Sequence, residues 1–290
     1  MNVAKEGVSA MNEHVLQQSE RFKEYVRKLS PVELEPKKKA ILSCNEEKQR
    51  ALYDGDRKYC FSPFCPLCEA RRQVLDVIDL MNAGDYLKTI NDFEFFAIEV
   101  SVKGLQASEL EAATNLMIEA ASRFITSAPY KKFFEAFVRR MHFSYEQETN
   151  RYAIHLSGMG AVVTTIAREL PIREMAEITR KSWMKFYNNE EFPYEMTKME
   201  SFSRVDERAL ELLYAFSDYT VPPEQLLASE EVFLTFVKAI SPIRTFTMSN
   251  DMKKLFNDRV EDLNRNILMS TNGKLDKINP KLYRNWFLEK

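Results

Sequence analysis

The chain has 290 residues, 45% hydrophobic and 29% charged, with a formal net charge of −2 and a pI near 6.1. That balance is globular, it confines any nucleic-acid surface to a local patch, and seven glycines without GxGxxG or GxxxxGKS/T argue against a glycine-rich phosphate cradle. No apolar run reaches the roughly 18 residues of a membrane span and "MNVAKEGVSAMNEH" lacks the apolar centre of a secretion signal, so a cytoplasmic protein is expected.

Residues 12–29 carry Val15, Phe22, Val26 and Leu29 at helical spacing. A polar stretch with Pro31, Pro36 and Lys37 to Lys39 breaks that helix and leads to Cys44. All four cysteines then fall within 25 residues, at Cys44, Cys60, Cys65 and Cys68. Two thiolates separated by two residues, as in Cys65 and Cys68, chelate one ion, and Cys60 is a third ligand. Cys44, folding back, completes a tetrahedral set for a structural Zn²⁺. Reduced core cysteines and a redox pair are the alternatives; the redox pair lacks the strand that should precede it. The helix expected after Cys68, through "EARRQVLDVIDLMN", would present Arg71 and Arg72.

"FEFFAIEVSVK" alternates Phe96, Ile98, Val100 and Val102 against Ala97, Glu99 and Ser101, the pattern of a half-buried strand. A helix should span 107–127 with Ser108 as its N-cap. Two strands follow, "EAFVRRMHFSYE" and "NRYAIHLSG". If they form a hairpin centred near Glu148, Tyr145 faces Tyr152, Phe143 faces Ile154 and His142 faces His155. Met141, Phe143, Tyr145, Tyr152, Ile154 and Leu156 then share one side. Arg140, His142, Ser144, Arg151, Ala153, His155 and Ser157 share the other, an open polar face. Opposed Cβ atoms lie ~4.5–5.5 Å apart, close enough for two imidazoles to hold one divalent ion with Glu99 as third ligand. Two ordinary surface histidines are the plainer alternative.

Helices are expected over "PIREMAEITRKSWMKFYNN", 205–217 and 229–240, with short strands at "FPYEMTKM" and "IRTFTM". The order implies an α+β fold with a mainly antiparallel sheet and packed helices. "KKFFEAFVRR", with Lys131, Lys132, Arg139 and Arg140, and the Arg71–Arg72 pair are the places where phosphates would be met. The phenylalanines among them read as core.

The order of a cysteine, then Cys-x₄-Cys-Pro-x-Cys, two arginines, a strand, a long helix and a basic-aromatic strand resembles the rolling-circle plasmid replication initiators. The branch is the one with an N-terminal cysteine cluster, within the HUH single-strand endonucleases. "FCPLCEARR", "FFAIEVSVKGLQASEL", "FFEAFVRRMHFSYE", "SDYTVPPEQLL" and "PIRTFTMSNDMKKLF" carry the likeness, over roughly residues 12–263. It implies a zinc module and helix over 1–84, an HUH-like (RRM-like) endonuclease and DNA-binding domain over 85–263, and a tail over 264–290. It also implies Mg²⁺ or Mn²⁺ on the histidines, single-stranded origin DNA as substrate, and a host replication helicase as partner. Tyr219 in "SDYTV" matches the nucleophile that forms a 5′-phosphotyrosine, and His155 matches the second histidine of the motif.

Two positions depart from the pattern. Ala153 stands at the first histidine position, with His142 where a strand carboxylate is usual. Ala215 replaces the glutamate that activates water, for which Asp218, Glu211 or Glu224 would have to substitute. A catalytically impaired DNA-binding regulator is therefore a competing reading, and a zinc-stabilised interaction module with no DNA role, which the acidic pI favours, is a third that does not depend on the resemblance.

Overall fold

The computed structural model describes residues 2–30, 35–44, 60, 62–73, 76, 93–163, 172–202, 218–249 and 254. Five strands form one antiparallel sheet: β1 (Phe93–Leu105), β2 (Ala136–Glu146), β3 (Arg151–Val163), β4 (Tyr194–Phe202) and β5 (Phe246–Met248). Their spatial order is β4-β1-β3-β2-β5. The helices are α1 (Asn2–Lys28), α2 (Glu35–Leu42), α3 (Leu110–Thr126), α4 (Ala128–Phe133), α5 (Ile172–Phe186), α6 (Pro223–Leu226) and α7 (Glu230–Ile240). A further helical segment covers 66–73. The α+β expectation holds. The helix expected over 205–217 lies outside the described residues, as does the end of the one expected after Cys68.

Alternation builds the sheet. Phe96, Ile98, Val100 and Val102 of β1, Met141 and Phe143 of β2, and Ile154 and Leu156 of β3 are buried in one cluster. That cluster also holds Met117 and Phe124 of α3, Trp183 of α5 and Phe236 of α7. Each such side chain withdrawn from water contributes roughly 1.5–3 kcal/mol, so the register that puts them on one face is strongly fixed. Gly158 of β3 makes room in this layer, because a Cβ there would come within 2.5 Å of Cζ of Phe137.

The N-terminal stretch joins the same core. Phe22, Val26, Leu29, Ile41 and Phe64 are members of the cluster. The rings of Phe22 and Phe64 meet Phe233 edge-on, at 5.9 and 5.7 Å between centroids.

Three local expectations need correction. The helix α3 starts at Leu110 with Glu109 before it, so Ser108 is not its cap. The Glu109 carboxylate instead closes the preceding turn by accepting from the amide of Gln106 at 2.7 Å. The stretch read as a polar break contains α2, whose end delivers Cys44 through a bond from its amide to the carbonyl of Ile41 at 3.1 Å. Finally, the polar side of the hairpin is only partly open, since Arg140 is fully buried there while Arg151 is exposed and His155 half-buried. Ser229 does cap α7, accepting from the amide of Val232 at 3.2 Å.

Candidate active site and thiol cluster

The four cysteines converge. Sγ of Cys68 lies 3.4 Å from that of Cys60 and 3.5 Å from that of Cys44, and Cys65 lies 3.8 Å from Cys44. All four sulfurs fall within 4.8 Å of one another, and none is in a disulfide. A tetrahedral ion with metal–sulfur bonds of about 2.3 Å needs sulfur–sulfur edges of about 3.8 Å, so the quartet fits a metal such as zinc. Contacts with Cys44 and Cys60 push the Cys68 thiol up, while contacts with Cys60 and Cys65 push Cys44 down. Four such sulfurs share their charge badly without a cation among them.

β2 and β3 pair with His142 opposite His155, Phe143 opposite Ile154 and Tyr145 opposite Tyr152. This is the register the alternation requires. On the other side of β3, Ser101 faces His155 and Glu99 faces Ser157, which places Glu99 diagonally from His155. His142, His155 and Glu99 line a common cavity of about 590 Å³ with Tyr219, Asp218, Glu224 and Gln18. As a trio, the two imidazoles and the carboxylate do not close to the spacing of the cysteine quartet.

His142 is oriented from outside the hairpin. Its Nδ1 lies 3.2 Å from the carbonyl of Tyr219. A carbonyl only accepts, so Nδ1 carries the hydrogen and Nε2 carries the lone pair. That Nε2 is buried with no hydrogen-bond partner, the arrangement in which a backbone-anchored imidazole is ready for a metal. Burial, followed by the Arg140 charge, pushes His142 down to about 4. Burial and Lys103 also lower His155, against Glu99. Both rings are neutral near pH 7, the form that ligates.

Tyr219 is carried along the outer edge of β2. The amide of Met141 donates to Thr245 at 2.7 Å, and that of Phe143 to the carbonyl of Thr220 at 2.7 Å. The amide of Tyr145 donates to the Gln225 side chain at 2.8 Å. The Tyr219 hydroxyl donates to Oε1 of Gln18, in α1, at 3.4 Å. Burial first, then Glu69 and Glu224, push this phenol up to about 12, and burial also raises Asp218.

The arginines read as DNA contacts divide. Arg139 is buried on the helix side of the sheet and donates to the carbonyl of Ile118 at 3.4 Å. Arg140, one residue on, points the other way and is paired with Glu69 at 2.8 Å and Asp76 at 3.2 Å. Two successive strand residues cannot share a face, and neither reaches the surface, so both are corrected as DNA contacts. Arg72 bonds to Glu69, Thr220 and Thr245. Arg71 lines a separate cavity of about 390 Å³ with Arg244. Lys131, which is exposed, and Lys132 belong to α4, which precedes β2.

Sequence reasoning missed Glu69, Thr220, Gln18 and Gln225, which hold Tyr219 and its neighbours. An acid directly after Cys68, separated from the Arg71–Arg72 pair by Ala70 alone, was the one available signal. Glu211 and Ala215 lie outside the described residues.

A family model described as Replication protein matches residues 51–288 of the chain. No curated protein and no solved structure matches it.

Proposed function

We propose that this chain, which belongs to the Replication protein family of rolling-circle plasmid initiators, binds origin DNA and nicks one strand through Tyr219. The observation that carries the reading is the meeting of His142, His155, Glu99 and Tyr219 on one cavity, with the Tyr219 carbonyl against Nδ1 of His142.

Drawn closer together than they lie here, the neutral imidazoles and the carboxylate would form a mixed nitrogen and oxygen donor set, which suits Mn²⁺ better than Mg²⁺. When bound, such an ion supplies positive charge for the phosphate oxygens. The chain's own residues do the rest. Gln18 orients the phenol through its amide oxygen. Oη of Tyr219 bonds to phosphorus as the bond from phosphorus to the 3′ oxygen breaks. The phenolic proton passes to Glu224, a carboxylate lining the same cavity, and the departing 3′ oxygen takes a proton from solvent. Asp218 and Glu224, both lining the cavity, are the carboxylates for later release by water.

In this reading residues 1–84 form a module stapled by Zn²⁺ on Cys44, Cys60, Cys65 and Cys68. Residues 85–263 form the endonuclease domain and 264–290 a tail. Arg71, Lys131 and Lys132 meet DNA phosphates, whereas Arg72 is taken up by Glu69, Thr220 and Thr245, and a host replication helicase opens the duplex. Ala153 supplies no imidazole, so cleavage is slow.

The test is incubation with Mn²⁺ and a labelled single-stranded origin hairpin. A covalent protein–DNA adduct is expected, lost in Tyr219→Phe with DNA binding retained, and cut at least tenfold in rate in His155→Ala. An adduct surviving Tyr219→Phe would overturn the assignment of the nucleophile. The missing imidazole at Ala153 favours a second reading, a DNA-binding regulator, which binding without any adduct would support.

A further inference from the structure

We infer that Glu69 is the positioning residue that ties the Tyr219 segment to the cysteine cluster. The inference rests on the reading of Tyr219 as nucleophile, but its structural part stands on its own observations.

Glu69 follows Cys68 directly, and its amide donates to the carbonyl of Cys65 at 2.9 Å. Its place is thus fixed by the turn that carries two of the thiols. Its side chain is only 2% exposed. Oε1 accepts from the amide of Thr220 at 3.0 Å and from the Thr220 hydroxyl at 2.8 Å. It also accepts from Arg140 at 2.8 Å and Arg72 at 2.5 Å. Oε2 is buried without a partner. All of the carboxylate's bonding is therefore spent on the two arginines and Thr220.

Three backbone groups in succession are held, one of them by Glu69. The Tyr219 carbonyl takes Nδ1 of His142, the Thr220 amide takes Glu69, and the Thr220 carbonyl takes the amide of Phe143. Two of these anchors belong to the sheet. Glu69 is the third, and it alone of the three belongs to the thiol cluster. Releasing the sulfurs would free the N-terminal end of segment 66–73, and with it the oxygen that fixes the Thr220 amide. Tyr219 would then lose its direction while the hairpin histidines kept theirs. Positioning of this kind acts on the rate of attack more than on binding, because a small misplacement of a nucleophile is costly.

The experiment is amide hydrogen exchange on peptides spanning 218–222, in the metal-loaded full chain and its variants, read beside adduct formation and DNA affinity. Glu69→Ala should speed exchange of the Thr220 amide at least tenfold, with the strand amides of β1 and β3 unchanged. The adduct rate should fall at least tenfold while DNA affinity stays within about twofold. Glu69→Gln keeps an accepting oxygen and should be intermediate. Chelation of the cysteine-bound metal should reproduce the exchange change. If Glu69→Ala fails to fold, Thr220→Val removes one donor to Glu69 at nearly constant shape and should show a smaller change in the same direction. Unchanged exchange at 218–222, or a loss of protection spread evenly over the sheet, would overturn the inference. Absence of any adduct from the unaltered chain would tell against the nicking chemistry alone, because the exchange readout does not depend on it.

Discussion

Replacing Arg140 by methionine removes a guanidinium that is fully buried and paired with Glu69 at 2.8 Å and Asp76 at 3.2 Å. Methionine fills much of the same volume, so the cost is mainly electrostatic. Glu69 keeps Arg72 and Thr220, whereas the bond from Arg140 to Asp76 is lost altogether. Burial already pushes the Arg140 guanidinium below its ordinary value, with Glu69 and Asp76 acting to restore it, so the cation is held by those carboxylates. Breaking a buried pair by removing one partner costs roughly 3–5 kcal/mol, against a total stability of about 5–15 kcal/mol for a domain. With an m value of about 3 kcal/mol per molar urea, the unfolding midpoint should fall by about 1 M or more. The assay is urea unfolding followed by circular dichroism, with DNA binding measured across a salt series on the folded variant. If Arg140 were instead a phosphate contact, the midpoint would barely move and the salt slope would fall by about 1. A midpoint shift below about 0.3 M would refute the argument from burial.

Two further outcomes are expected. Cys65→Ser should reduce bound zinc from about one ion per chain to a small fraction and leave residues 14–30 and 62–73 more open to exchange; four thiols freely titratable in the native unaltered chain would contradict this. Stability should also depend on pH through His142, whose folded pKa of about 4 lies below the unfolded value of about 6.5. The unfolded chain then binds the extra proton, so this contribution is fully present above about pH 6.5 and is lost as pH falls through about 4. At pH 5 the loss is about 2 kcal/mol, from 1.5 pH units at about 1.4 kcal/mol each; urea midpoints at pH 5 and 7 measure it, and an equal dependence in His142→Asn would show that another group is responsible.

The hairpin was legible because its chemistry is local. Apolar and polar residues alternate from Met141 to Glu146 and, with Ala153 at one polar position, from Arg151 to Leu156, and a slip of one residue would turn Phe143 and Ile154 out of the core. The same alternation misled on the second face. Arg140 and His142 have the composition of a solvated surface, and only the chain's long-range course, bringing 66–73 and 218–224 over the sheet, buries them. Glu69 lies 151 residues from Thr220, and no spacing rule in a single sequence connects two such positions. The cysteines fared better. Metal-ligand chemistry demands convergence whatever the path between Cys44 and Cys60, so the quartet was legible even though α2, which delivers one member, was not.

The outer edge of β2 has one more consequence. It is sealed by separate short pieces in turn, Ser249, β5, Thr245, Thr220 and Gln225, rather than by one long strand. Such patchwork denies a neighbouring molecule a continuous ladder on which to stack. It also makes the seal reversible piece by piece. Swinging the Tyr219–Thr220 stretch outward breaks its bonds to Phe143, His142, Glu69, Arg72, Thr245 and Gln18 but leaves β5 zipped. At about 1 kcal/mol net for each ordinary hydrogen bond, and somewhat more for those to the charged Glu69 and Arg72, that movement costs on the order of 7 kcal/mol or more unless new contacts offset it. In the proposed reading, contacts of the DNA joined to Tyr219 would have to supply that offset for the stretch to be carried aside, and the strands of the sheet would stay in place.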